Sequence, residues 1–148
     1  MEHLHPMSDT EQRQTIIDFY RAIAQHNIEL LRSVVTDDWQ YIPAPPGHQT
    51  GPDLMIPAFN NLAIAFPNMQ IELLDVLIQG DRVAVRASVS GTQSGPLMGV
   101  APSSKQVKFA VHSFHEIRKG KIAKTWHMED WLGVFRQIGE IPTDLSHS

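Results

Sequence analysis

Near Met69 the spacing of apolar residues changes from the helical period of about 3.6 to the strand period of 2. Helical signals therefore come first in this chain and strand signals later. That order fits an α+β domain in which helices gather on one face of a curling antiparallel sheet.

In the helical part, Ser8-Asp9-Thr10-Glu11 reads as a capping box, the hydroxyl bonding the third amide while the carboxylate reaches back. After it, Ile16, Phe19, Tyr20, Ile23 and Ala24 recur at helical spacing and predict one buried stripe. Asn27 can cap a second helix with Ile28, Leu31 and Val34 inside. Asp37 to Ile42 reads as a short strand, closed by Pro43, Pro45, Pro46 and Gly47. A third helix is expected near Pro52, whose missing N–H is harmless in a first turn. Pro57 requires that this helix start later or kink.

In the strand part, Met69 to Gln79 and Arg82 to Thr92 predict a hairpin turning at Gly80-Asp81. Gln93 to Ser104 is a connection rich in Gly, Pro and Ser. Lys105 to Arg118 is a third long strand, and Lys119-Gly120 turns it into a fourth. Val83, Val85, Ala87 and Val89 share one sheet face. They are too apolar for free exposure if the opposite face carries the helices, so a homodimer through the sheet is expected.

The 148 residues fit one domain spanning 1–148, with a core at about 12–140 and loose ends at 1–7 and 143–148. Apolar residues make up 42% and charged residues 19%, ordinary for a globular protein. A net charge of −4 with no basic run argues against nucleic acid as a partner. No apolar stretch approaches the roughly 20 residues that span a bilayer, so no membrane partner is expected. The N-terminus lacks the plan of a signal peptide, and there is no Cys, a pattern compatible with a cytoplasmic location.

Chemistry concentrates in Lys119 to Gly139. Strand alternation puts Ile122, Trp126, Met128 and Asp130 on one face. A carboxylate in line with a Trp and a Met is either a helix cap or a proton-transfer group whose pKa its apolar neighbours raise. With a two-residue turn at Lys119-Gly120, Ser113 faces Trp126 and His112 faces His127 across the pair. His115 then shares the face of Asp130, and His112 and His127 share the other; one bulge would exchange the two sets. One of these three histidines is a candidate pocket hydrogen-bonding or proton-relay group, against the commoner outcome of a satisfied sheet-face His. No metal site is expected, because His-x-x-His on a strand points its rings to opposite faces and no HExxH or Cys pair exists. Trp39 and Tyr41 are expected at a cavity wall, where a polar tip finds a partner. Phe19 and Phe66 belong to the aromatic stock of the helical half. Met98, inside Gly95 to Ser103, could fold over a pocket mouth or sit on a dimer-side loop, and His48 has no assigned role.

Four pieces of the chain carry a resemblance: Phe66-Pro67-Asn68; Gly80-Asp81-Arg82-Val83; Gly91-Thr92 through Gly95, Gly99, Pro102-Ser103 and Lys105; and Gly120-Lys121-Ile122 followed by Trp126, Asp130 and Gln137-Ile138-Gly139. In order and spacing the chain resembles the SnoaL-like polyketide cyclases of the NTF2-like superfamily over about residues 12–140. It departs from them at Asn68, where Asp is common, at Ala101 for Pro, at Ser104 for Gly and at His115 for Arg. The resemblance implies an NTF2-like cone, a curved antiparallel sheet wrapped by N-terminal helices around a deep apolar pocket, commonly dimeric. It also implies chemistry without cofactors. In the family a carboxylate at the position of Asp130 takes a proton from a carbon between two carbonyls, and its polar helpers, a His and an amide on the neighbouring strand, have no unambiguous match here; His115 and His112 are candidate helpers from the strand register alone. The enolate then attacks a nearby carbonyl of the same small apolar substrate, or a related isomerase, dehydratase or hydrolase reaction follows. Trp39, Tyr41, Phe19, Phe66, Met98, Trp126 and His127 are the candidate substrate-binding residues. The other reading is a binding or dimerisation domain that keeps the pocket without the chemistry.

Overall fold

The capping box at Ser8 starts helix α1 (Asp9–Gln25): the Ser8 hydroxyl accepts from the Glu11 amide and the Glu11 carboxylate from the Ser8 amide. The structure, a computed structural model, describes residues 8–45, 47 and 50–142. The expected loose ends and His48 lie outside the described residues. Asn27 caps helix α2 (Ile28–Val34) through a bond from the Leu30 amide. The proline conflict resolves as a later start: Pro52–Met55 form a 3₁₀ turn, and Pro57 sits in the first turn of helix α3 (Ile56–Ala65).

Strands β1 (Val35–Ile42), β2 (Gln70–Gln79), β3 (Arg82–Thr92), β4 (Gln106–Arg118) and β5 (Lys121–Glu129) form one sheet in the order β1-β5-β4-β3-β2. The last helix is α4 (Trp131–Ile138). The sheet is mixed rather than wholly antiparallel, because β1 leaves α2 running in the same direction as β5 and pairs with it in parallel. The β2–β3 hairpin turns at Gly80-Asp81, and the β4–β5 hairpin at Lys119-Gly120, both residues there having positive φ (51° and 82°). The layout is α+β.

One residue resets the last strand. Ile117 pairs with Ile122 but Glu116 pairs with Lys124, so Ala123 is an extra residue bulging from β5. Beyond it, Ser113 faces His127 and Phe114 faces Trp126. The expectation that Trp126 and Met128 share the inner face with Ile122 is thereby reversed. Thr125, His127 and Glu129 turn inward, and Trp126 and Met128 turn out, Met128 being 70% exposed.

The face of Val83, Val85, Ala87 and Val89 also differs from the expectation. All four are buried, the first three against Phe19, Leu31, Trp39 and Ile122 beneath the helices. The large apolar side chains that the strands leave exposed are instead Leu74, Leu77, Phe114 and Met128. Val89 joins a second core cluster with Phe66, Leu97, Val107, Phe109 and α4. Buried Gln93 staples the 93–104 loop onto this cluster, its amide donating to the carbonyls of Gly95, Val100 and Ala101 while its oxygen accepts from the Ser103 amide.

Candidate functional site

Between the two core clusters lies a cavity of about 70 Å³. Its apolar walls come from Phe19 and Ile23 of α1, from Met55, Leu62 and Met69, and from Val89, Phe109, Val111 and Trp131. Its polar groups are Tyr20, Tyr41, Ser113, Thr125, His127 and Glu129, and no Lys or Arg lines it. Strand alternation after the bulge is what brings Thr125, His127 and Glu129 to this wall together.

The inward carboxylate is Glu129. Its Oε2 lies 2.6 Å from Nδ1 of His127, and Nε2 of His127 lies 2.8 Å from the Pro43 carbonyl. A carbonyl only accepts, so Nε2 carries a hydrogen and donates it. The contact between Nδ1 and Oε2 then holds one proton: either an imidazolium donates to a carboxylate, or a carboxyl donates to a neutral ring. His127 is further fixed by stacking on Tyr41, with ring centroids 3.7 Å apart and planes 7° from parallel. The side chains of His127 and Glu129 are only 12% and 18% exposed, so this acid–imidazole pair works largely out of water. Burial, and next the charge of Glu129, pushes the Tyr41 hydroxyl well above its ordinary pKa.

A second polar chain runs behind the wall. The Trp39 indole N–H donates to Thr125 Oγ1 (3.1 Å), which is 2.9 Å from Nδ1 of His115, whose Nε2 is 2.9 Å from the Tyr20 hydroxyl. Burial lowers the His115 pKa from 6.5 to about 3. Burial also raises that of the Tyr20 hydroxyl, Ser113 opposing the rise and the Glu129 charge adding to it.

The sign of the His115 effect on stability follows from linkage. A depressed histidine pKa means that the unfolded chain takes up a proton the folded state refuses. This contribution is whole above pH 6.5 and is lost as pH falls from there towards 3. By pH 5 the loss should reach roughly 2 kcal/mol. Urea unfolding of wild type and His115→Gln at pH 7 and pH 5 measures it. The variant should lose less stability between the two; equal losses would mean that His115 titrates normally.

The sequence-derived candidates divide. Tyr41, Phe19 and His127 line the cavity, and His115 stands one bond behind it through Tyr20. Asp130 is exposed and off the cavity wall, because it lies past the bulge on the outward register and ends the strand. Its Oδ1 accepts from the Gly133 amide at 2.9 Å and so caps α4. A Cβ on residue 133 would lie 2.3 Å from the Asp130 carboxylate, which accounts for the glycine there. His112 is exposed on the outer face, opposite Met128. Trp126 lies on that face too, with the cations of Lys124 and Arg82 over its ring at 5.1 and 5.8 Å. Trp39 is fully buried behind Tyr41, and Phe66 and Met98 pack in the second core cluster, so none of the three lines the cavity. The sequence reading missed Glu129, Ser113 and Thr125, which an unbulged register distributes differently. It also treated Tyr20 as core alone.

Among the described residues no group of three or more His, Cys, Asp or Glu is arranged to hold a metal ion, and no helix is long and apolar enough to cross a membrane.

No curated protein matches the chain in sequence. Among solved structures, a Bacillus cereus protein proposed to be a polyketide cyclase is 28% identical, with 93% of this chain and 87% of that one covered and a TM-score of 0.79. IdmH from Streptomyces antibioticus, also proposed to be a polyketide cyclase, is 25% identical over 86% of this chain and 97% of its own, with a TM-score of 0.74. TsrD from Streptomyces laurentii shares the fold, with a TM-score of 0.82 at 23% identity over 91% of this chain and 99% of that one. The SnoaL-like polyketide cyclase family model matches residues 14–138, from the first turns of α1 through the cavity strands to the end of α4. The chain therefore belongs to the SnoaL-like polyketide cyclase family.

Proposed function

We propose that the protein carries out acid/base chemistry without a cofactor on a small, apolar carbonyl compound, with Glu129 as the base. The observation that carries this reading is a carboxylate on the wall of a mainly apolar cavity, buttressed by an imidazole that can share its proton. The likeness to two proteins proposed to be polyketide cyclases, at 25% and 28% identity, supports it. In the reaction Glu129 takes a proton from the carbon between two carbonyls, and the C–H electron pair becomes the enolate. The enolate carbon bonds to the carbon of a third carbonyl in the same molecule, whose C=O electron pair moves onto its oxygen. The resulting alkoxide recovers the proton from the Glu129 carboxyl, so nothing is consumed. The apolar walls fold the substrate so that both carbons meet.

The test uses ethyl 2-methylacetoacetate, which has one acidic C–H between its carbonyls. In D₂O the protein should catalyse exchange of that hydrogen saturably and above the buffer rate, as NMR would follow. Absence of catalysis, with apolar compounds still bound, would favour the binding-module reading.

We also infer that the outer sheet face joins two copies of the chain. Leu77, Ala84, Phe114 and Trp126 lie side by side across four strands, and Leu77 and Phe114 are 67% and 62% exposed. Light scattering at micromolar concentration should give twice the chain mass, and Phe114→Asp should halve it. A monomeric wild type would end this inference.

A further inference from the structure

The buried chain behind the cavity has a direction. The indole N–H of Trp39 has only a donor to offer, so Thr125 Oγ1 accepts from it. Oγ1 has one other partner among the described residues, Nδ1 of His115. If His115 also donated to Oγ1, the Thr125 hydroxyl hydrogen would be left without an acceptor in a site 1% exposed, which buried hydroxyls avoid. Thr125 therefore donates to Nδ1. His115, kept neutral by burial, carries its one hydrogen on Nε2 and donates it to the Tyr20 oxygen. The hydroxyl hydrogen of Tyr20 cannot point back along the same bond. It is left to the cavity side, where the Ser113 hydroxyl is the other side-chain partner of Tyr20 and where a substrate carbonyl would take that partner's place beside His127 and Glu129.

We propose that Tyr20 is the hydrogen-bond donor that receives the substrate's carbonyl oxygen and stabilises it as it becomes an enolate oxygen, with Thr125 and His115 as positioning residues that aim its hydroxyl. The substrate class narrows accordingly. Its reactive carbonyl enters next to the acidic carbon, so that one end of the C–C–O unit meets Glu129 and the other meets Tyr20. A donor fixed beforehand by neighbours is worth most where charge develops away from water. A tyrosine that burial holds in its protonated form keeps the hydrogen that such a role needs. The catalytic role of Tyr20 rests on the acid/base reading above; the direction of the chain does not.

Three measurements test this. Long-range ¹H–¹⁵N correlation on the wild type should find His115 neutral, with its hydrogen on Nε2. A hydrogen on Nδ1 would overturn the proposal. Phenol and toluene then serve as ligands of nearly equal size, a hydroxyl in one standing where the other has a methyl group. Tyr20→Phe should shift the ratio of their affinities roughly tenfold against phenol, the worth of one good hydrogen bond. An unchanged ratio would overturn the proposal. In the exchange assay with ethyl 2-methylacetoacetate, Tyr20→Phe should lower kcat by about 10²–10³-fold with KM little changed. Thr125→Val should reproduce most of that loss and move the His115 hydrogen to Nδ1, while Thr125→Ser restores both. A Thr125→Val variant that keeps the wild-type kcat and tautomer would remove the positioning role. A wild type with the Nε2 tautomer and the phenol preference, yet with no exchange, would sink the acid/base reading and leave the donor assignment standing.

Discussion

Glu129→Gln is expected to lower exchange of the dicarbonyl probe by roughly 10²–10⁴-fold, the usual worth of a positioned general base. The amide keeps the size of the side chain and can still meet Nδ1 of His127, so the fold and the apolar binding should survive. Asp130→Asn is the companion variant. Asn caps a helix nearly as well as Asp, so the α4 cap persists and exchange should stay near the wild-type rate. The two variants carry opposite readings of one stretch of chain. A large loss in Asp130→Asn with none in Glu129→Gln would return the base to Asp130 and refute the assignment made from the cavity wall.

The second large effect is on stability. Trp39 is fully buried, edge to face with Phe19 and tilted against Tyr41, and its indole N–H feeds the chain to Thr125. Trp39→Ala should cost on the order of 3–5 kcal/mol, the range for emptying a core aromatic position. Trp126→Ala should cost about 1 kcal/mol, since that ring is partly exposed and mostly loses its two flanking cations. Urea unfolding, measured where all forms share one oligomeric state, compares them. A larger cost at Trp126 than at Trp39 would mean that the faces of β1 and β5 have been read the wrong way round.

Much of the architecture was legible because it rests on local chemistry. The Ser8 box, the Asn27 cap and the turns at Gly80-Asp81 and Lys119-Gly120 each depend on a few adjacent residues, and each occurs where expected. The parallel pairing of β1 with β5 was not legible, because it joins strands that are far apart in the chain and no local pattern records it. The faces of β5 were misread for a narrower reason. Faces assigned by alternation are only as good as the count between the turn and the residue, and Ala123 adds one. One signal was present: unbroken alternation from Ile122 to Trp126 places Lys124 among inward apolar groups, a costly position for an ammonium. Tyr20 was hidden differently. Its helical spacing marks it as buried, and only the tertiary structure reveals that its hydroxyl end reaches His115 and a cavity.

The extra residue at Ala123 also uncouples the interior of this protein from the length of its last strand. Deleting it would remove the bulge and leave every later pair as it is, Lys124 still opposite Glu116 and Thr125 opposite His115, so Thr125, His127 and Glu129 would stay inside. A strand of the present length that paired without a bulge would do the opposite and present Lys124, Trp126 and Met128 to the cavity, a cation, an indole and a thioether in place of an imidazole and an acid. When members of such a family are aligned, a single-residue gap between the last turn and the final strand therefore marks a lost bulge rather than an exchanged interior, and the faces are better counted back from the end of the strand than forward from the turn.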